Sequence, residues 1–190
     1  MRIMRRLFDF IFSIAGLILG GPLFIFLYVA GFFTIGSPLF MQTRAGRHQK
    51  PFVLVKFRTM KPGTPSVGSH LVNAAEITRW GRFLRRTKLD ELPQLWNVLK
   101  GEMSLVGPRP CLFNQEELLR ERAQRGVFEV RPGITGLAQT RGIDMSTPVL
   151  LAETDACMLA DFRMTDYFRY ILLTVIGRGQ GDRAPGNQQS

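Results

Sequence analysis

From Phe10 to Phe40 the chain carries no Asp, Glu, Lys, Arg or His, and Phe, Leu and Ile dominate the stretch. A helix rises about 1.5 Å per residue and a bilayer's hydrocarbon core is about 30 Å thick. The run is therefore too long for one upright crossing and too short for two. Gly20, Gly21 and Pro22 stand near its middle, where glycines weaken a helix and proline removes a backbone donor. The predicted shape is helix, break at Pro22, helix. Backbone groups freed at membrane depth need partners, and Ser13 is a candidate.

Arg2, Arg5 and Arg6 precede the run and Arg44, Arg47 and Lys50 follow it. Basic residues mark the cytoplasmic side of a membrane segment, so both ends are expected in the cytoplasm, as in a re-entrant hairpin. A signal peptide, whose apolar core is shorter, and a single tilted span are the alternatives. Lys plus Arg outnumber Asp plus Glu by 25 to 15, a formal charge of +10. That excess favours nucleic acid, anionic lipid or a phosphorylated substrate, and nucleic acid would explain the charge but not the apolar run. No nucleic-acid partner is expected. Only Cys111 and Cys157, with His48 and His70, are present, which excludes a disulfide framework or zinc site of ordinary spacing.

Beyond the run, Leu39 to Thr43 and Phe52 to Phe57 are short and β-prone, joined by the polar turn Arg44 to Lys50, and predict a hairpin. Met60 to His70 is expected as a loop, and Asn73 to Arg86 as a helix with Ile77, Trp80, Phe83 and Leu84 on one face. A second helix is predicted from Asp90 to about Leu99, with Leu92, Leu95, Trp96 and Leu99 as its buried stripe and Pro93 in its first turn. Further helices are expected at Gln115 to Arg125, Thr147 to Ala160 and Tyr167 to Ile176, the last interfacial. Gly101 to Pro110 and Arg131 to Gly142 are expected as loops, and 177–190 as a disordered tail.

Asp90 and Glu91 follow a basic stretch, Arg82, Arg85, Arg86 and Lys88. Paired carboxylates among cations can hold a hard metal ion or supply a nucleophile and an acid-base group; the same pair also suits helix capping. Arg109 in Gly107-Pro108-Arg109-Pro110 and Arg131 in Arg131-Pro132-Gly133 sit on loops stiffened by proline. A guanidinium so held suits bidentate recognition of phosphate, although each arginine alone fits a solvated loop residue.

The motifs Arg6-Leu7-Phe8-Asp9-Phe10, Gln42-Thr43-Arg44-Ala45-Gly46 and Lys56-Phe57-Arg58-Thr59-Met60 occur in order. They lead to Leu89-Asp90-Glu91-Leu92-Pro93-Gln94-Leu95-Trp96-Asn97, Met103-Ser104-Leu105-Val106-Gly107-Pro108-Arg109-Pro110 and Val130-Arg131-Pro132-Gly133-Ile134-Thr135-Gly136. With these, over about residues 5 to 175, the sequence resembles the monotopic polyprenyl-phosphate phosphoglycosyl transferases, or bacterial sugar transferases, in their small single-domain form. The resemblance implies a re-entrant helix in the inner leaflet and a catalytic dyad in which Asp90 attacks the β-phosphate of a UDP-sugar and expels UMP. Polyprenyl phosphate then takes the phosphosugar from the carboxylate. It further implies Mg2+ at Asp90 and Glu91, an acid-base or metal role for Glu91, and phosphate binding by Arg85, Arg109 and Arg131.

Two stretches depart from the resemblance. Asp155-Ala156-Cys157-Met158 stands where many relatives have a pair of tyrosines after an acidic residue, and Asp166-Tyr167 replaces the usual order nearby. The expected architecture is α+β and mainly helical: a re-entrant membrane hairpin over 1–40, a compact catalytic domain over 41–176 with a small β hairpin and amphipathic interfacial helices, and the tail. Its expected place is the cytoplasmic face of the bacterial inner membrane, in contact with membrane lipid. The rival function is a non-catalytic basic adaptor for anionic lipid, in which Asp90 and Glu91 would be caps.

Overall fold

The computed structural model describes residues 2–64 and 74–176, so much of the expected Met60 to His70 loop and all of the 177–190 tail lie outside the described residues. The described residues are mainly helical with two small two-stranded sheets, an α+β arrangement. Helices α1 (Arg2–Leu19) and α2 (Gly21–Ile35) meet at Gly20 with a bend of 62°. Among the described residues no single helix is long and apolar enough to cross a membrane. Pro22 lies in the first turn of α2, where its missing donor costs nothing. Ser13 is buried, but its hydroxyl bonds to nothing, contrary to expectation. Across the bend Gly20 N–H donates to Gly16 O at 2.9 Å and Phe24 N–H to Gly20 O at 2.7 Å.

β1 (Leu39–Ala45) pairs antiparallel with β2 (Pro51–Phe57), in register from Leu39 opposite Phe57 to Ala45 opposite Pro51. The strand is longer than its apolar residues predicted, because buried Arg44 belongs to it and donates through Nη1 to Pro110 O. The helix expected from Asn73 is delayed. Ile77 bridges to Met60, and α3 (Arg79–Thr87) starts only after Thr78, whose hydroxyl accepts from Gly81 N–H at 2.9 Å. Gly81 allows α3 to lie against Thr59, whose carbonyl a Cβ there would overlap.

The segment expected as one helix from Asp90 is a 3-10 turn, Leu89–Glu91, followed by α4 (Gln94–Lys100). Its buried face is Gln94, Asn97 and Val98 rather than the predicted stripe, and Trp96 is exposed. Asn97 accounts for the rotation. Its amide donates to Val53 O at 2.7 Å and accepts from Val55 N–H at 3.1 Å, acting as a short extra strand along β2. Apolar periodicity cannot reveal a buried polar residue that satisfies a sheet edge.

The second sheet lies in segments expected as loops: β3 (Ser104–Val106) runs parallel to β4 (Gly133–Thr135). Three-residue strands are too short for a readable alternation. α5 (Glu116–Gln124), α6 (Leu137–Arg141), α7 (Pro148–Ala160) and α8 (Met164–Val175) are the remaining helices of the described residues. One core joins Phe52 and Leu54 to Val98, Leu105, Met158 and Tyr167. Another gathers Cys111, Leu118, Leu151 and Ala152, and a third sets Leu27 of α2 against Phe57 and Leu84, with Leu89 and Leu92 beside them.

α1 is tied to this body by Asp9, an acid at the edge of the apolar run. Its carboxylate, 2% exposed, accepts from Leu105 N–H (2.9 Å), Ser104 Oγ (3.0 Å) and Tyr167 Oη (2.9 Å). Burial and this carboxylate push the Tyr167 phenol far above its ordinary pKa, so it stays a donor.

Candidate active site

Asp90 and Glu91 occupy the 3-10 turn entered through Lys88, which adopts the left-handed conformation (φ 60°). Both carboxylates are buried, at 7% and 6% exposure. The cap positions of the turn and of α4 are Lys88 and Pro93, so neither acid stands where a helix cap would. Their flanking leucines, Leu89 and Leu92, pack into the apolar cluster under α2. Buried carboxylates require ionic or hydrogen-bonded compensation, and Glu91 has it: its Oε1 lies 2.9 Å from Arg109 Nη2.

Arg109 comes to this place on a loop held at every carbonyl from Gly107 to Cys111. Gly107 O accepts from Gln139 Nε2 (3.2 Å), Pro108 O from Gly133 N–H (2.8 Å) and Arg109 O from Arg122 Nη1 (2.7 Å). Pro110 O accepts from Arg44 Nη1 (3.2 Å) and Cys111 O from Ala45 N–H (2.9 Å). The backbone of the loop passes so close to the next segment that Cβ atoms on Gly107 or Gly133 would overlap it. The loop therefore presents the Arg109 guanidinium to Glu91 from a backbone that is fixed on both sides.

Arg122 is itself buried, its Nε and Nη2 donating to Asp155 Oδ2 at 3.0 and 2.6 Å. Asp155 is the acid that precedes the departure noted in the sequence. Burial pushes its carboxyl pKa up against the pull of Arg122. Met158 is buried in the main core, and Cys157 is exposed.

Arg85, half-buried on α3, donates through Nε to Thr59 Oγ1 at 2.9 Å and lies one turn of chain before the dyad. Arg131 is elsewhere. Its Nε donates to Gly101 O at 2.7 Å, so it stands at the C-terminal end of α4, about 10 Å of helix beyond the dyad's end. Sequence reasoning thus found Asp90, Glu91 and Arg109, which the fold brings together. It missed Arg44, Arg122, Asp155 and Gln139, which hold the Arg109 loop. Asp155 alone carried a signal, an acid within the largely apolar Pro148–Ala160; Arg122 stands in the charged helix Glu116–Gln124 and Gln139 is uncharged. Among the described residues no group of three or more His, Cys, Asp or Glu forms a metal cage.

Three relatives illustrate what the chain is similar to. It is 46% identical over 141 residues to an uncharacterised sugar transferase, EpsL, of Bacillus subtilis, with 74% of this chain and 69% of the relative covered. It is 38% identical over 168 residues to the undecaprenyl-phosphate galactose phosphotransferase of Salmonella typhimurium, covering 78% of this chain and 35% of that protein. With the UDP-glucose:undecaprenyl-phosphate glucose-1-phosphate transferase of Caulobacter vibrioides it shares 45% identity over 112 residues, 57% of this chain and 42% of the relative. The chain therefore spans less than half the length of the latter two. The family model described as bacterial sugar transferase matches residues 1–177. From residue 1 through the end of α8, the chain belongs to the bacterial sugar transferase family, the polyprenyl-phosphate phosphoglycosyl transferases whose motifs its sequence carries.

Proposed function

We propose that the protein transfers a sugar 1-phosphate from a UDP-sugar to a polyprenyl phosphate, using Asp90 as nucleophile. The observation that carries this reading is the buried Asp90–Glu91 pair facing Arg109 on a loop whose backbone is fixed at five successive carbonyls. An Asp90 oxygen attacks the β-phosphorus, and the bond from that phosphorus to the bridging oxygen breaks, releasing UMP. The sugar phosphate is then carried on the carboxylate as an acyl phosphate. An oxygen of polyprenyl phosphate attacks the same phosphorus, the bond to Asp90 breaks, and the carboxylate is restored.

Arg109 holds phosphate oxygens as charge shifts towards the leaving UMP, while Glu91 orients its guanidinium and is available for proton transfer. Arg85 contributes a second cation from α3. Two adjacent hard carboxylates fit Mg2+, which takes one or two protein carboxylates and completes its shell with water and substrate phosphate. Asp90 and Glu91 would hold it, and it would supply charge neutralisation on the diphosphate.

We further propose that α1 and α2 form a re-entrant hairpin over 1–40 in the inner leaflet, with the catalytic domain over 41–176 on the cytoplasmic face. The bend of 62°, the exposed Ile3, Leu7, Ile18, Phe26 and Phe33, and basic residues on both flanks support this. The reaction is tested with purified chain, undecaprenyl phosphate and a panel of UDP-sugars, scoring UMP release. A protein that binds membranes yet releases no UMP from any of them is an adaptor. Topology is tested with cysteines near residues 3 and 48 after replacement of Cys111 and Cys157. A membrane-impermeant thiol reagent should reach neither in intact cells, and labelling of residue 3 from outside would establish a single crossing.

A further inference from the structure

A shallow concavity, open to solvent, is lined by arginines from three separate parts of the chain: Arg5 and Arg6 of α1, Arg47 between β1 and β2, and Arg131 before β4. None of Arg85, Asp90, Glu91 and Arg109 lines it. Arg47 and Arg131 are each anchored through Nε to a backbone carbonyl, Glu129 O at 2.9 Å and Gly101 O at 2.7 Å. Their terminal nitrogens have no partner among the described residues. Arg5 lies over the Phe162 ring, 4.8 Å from its centroid, which fixes the plane of a third guanidinium. Arg6 is consumed by α4, donating to Val98 O at 2.7 Å and Met103 O at 3.2 Å. Of the two acids lining the cleft, Asp9 is committed to Tyr167, Ser104 and Leu105, and Glu129 lies 3.6 Å from His48 Nδ1.

Three guanidiniums lining one cleft repel one another, and an oxyanion held by the terminal nitrogens of Arg47 and Arg131, with the Arg5 charge beside it, offsets that repulsion. The position of the cleft narrows the class of anion. It opens beside the first turns of α1, whose Ile3, Met4 and Leu7 are 88%, 49% and 57% exposed. A ligand with a phosphate head and apolar chains can place the first among the arginines and the second along that helix face. We propose that this cleft is a phospholipid headgroup site, taking the phosphate of an anionic membrane lipid through Arg5, Arg47 and Arg131, apart from the carboxylate pair. The inference stands independently of the chemistry assigned to Asp90.

The test uses the full chain in a maltoside detergent that contains no phosphate, following thermal unfolding while phosphatidylglycerol, uncharged diacylglycerol or UMP is added. Phosphatidylglycerol should raise the unfolding midpoint and diacylglycerol should not. In an Arg5→Gln/Arg47→Gln variant the apparent affinity for phosphatidylglycerol should fall by about tenfold or more, each lost charge-assisted bond being large on that scale. Should that variant be less stable without lipid, Glu129→Gln gives the opposite arm: removing a negative charge from the rim should tighten binding roughly twofold to fivefold. Equal shifts in all three proteins, or none with phosphatidylglycerol, would overturn the site. A shift with UMP that depends on Arg5 and Arg47, with none from the lipid, would overturn the lipid assignment in favour of a soluble phosphate ester.

Discussion

Arg122 and Asp155 allow the packing and the positioning roles of one buried contact to be separated. Their side chains are 2% and 0% exposed, and Arg122 also donates to Arg109 O. Arg122→Met leaves the Asp155 carboxylate buried without its cation, which should cost about 3–5 kcal/mol of stability, a large part of the usual total. The double variant Arg122→Met/Asp155→Leu replaces the ion pair by apolar groups among Leu118, Leu151 and Cys111. Such replacements are neutral or stabilising by about 1–4 kcal/mol. Against that stands the orphaned Arg109 carbonyl, about 1–3 kcal/mol. The double variant should therefore unfold within about 3 kcal/mol of the unaltered protein. Its UMP release should nevertheless fall by roughly tenfold to a hundredfold, because the loop has lost the bond on the residue that faces Glu91, and misplacement by about 1 Å is costly. Thermal unfolding in detergent and UMP release, measured on the same preparations, decide it. A double variant both stable and fully active would refute the positioning argument, leaving the pair as packing alone.

Asp90→Asn should abolish UMP release with little change in unfolding temperature, and Glu91→Gln should impair it severely; lipid-linked product from purified Asp90→Asn at the normal rate would remove the nucleophile assignment. Arg109→Lys, which keeps the charge but not the fork, should cost about tenfold or more in turnover, and normal kinetics would reduce Arg109 to a loop cation. Gly133→Ala should destabilise by roughly 3 kcal/mol, since its Cβ would overlap the Gly107 backbone, whereas Gly21→Ala, with nothing within 4 Å, should be tolerated; matching unfolding temperatures would show that the two strands can part without penalty.

Features that depend on local chemistry were legible in the residues alone. An uncharged run with glycines and a proline at its centre dictates a broken apolar helix, and the fold bends it at Gly20. β-prone residues either side of a polar turn dictate the hairpin, and prolines around Arg109 dictate a stiff loop. Short motifs in order identified the family, because long matches constrain many positions at once. Tertiary structure alone decided which of these features meet. Arg109 reaches Glu91 while Arg131 turns to the far end of α4, although both stand in similar Arg-Pro surroundings. The difference is made by hydrogen bonds between residues far apart in the chain, Arg122 to Arg109 O and Gly133 to Pro108 O among them. The face of α4 was likewise misjudged from its leucines, because Asn97 satisfies the edge of β2 and a buried amide outranks apolar periodicity. Parallel pairing of β3 with β4 left no trace in either segment, since three residues are too few for a period and the partner is distant. Periodicity reports burial along one segment. A buried polar group reports a partner elsewhere, and that partner is fixed only when the chain has closed.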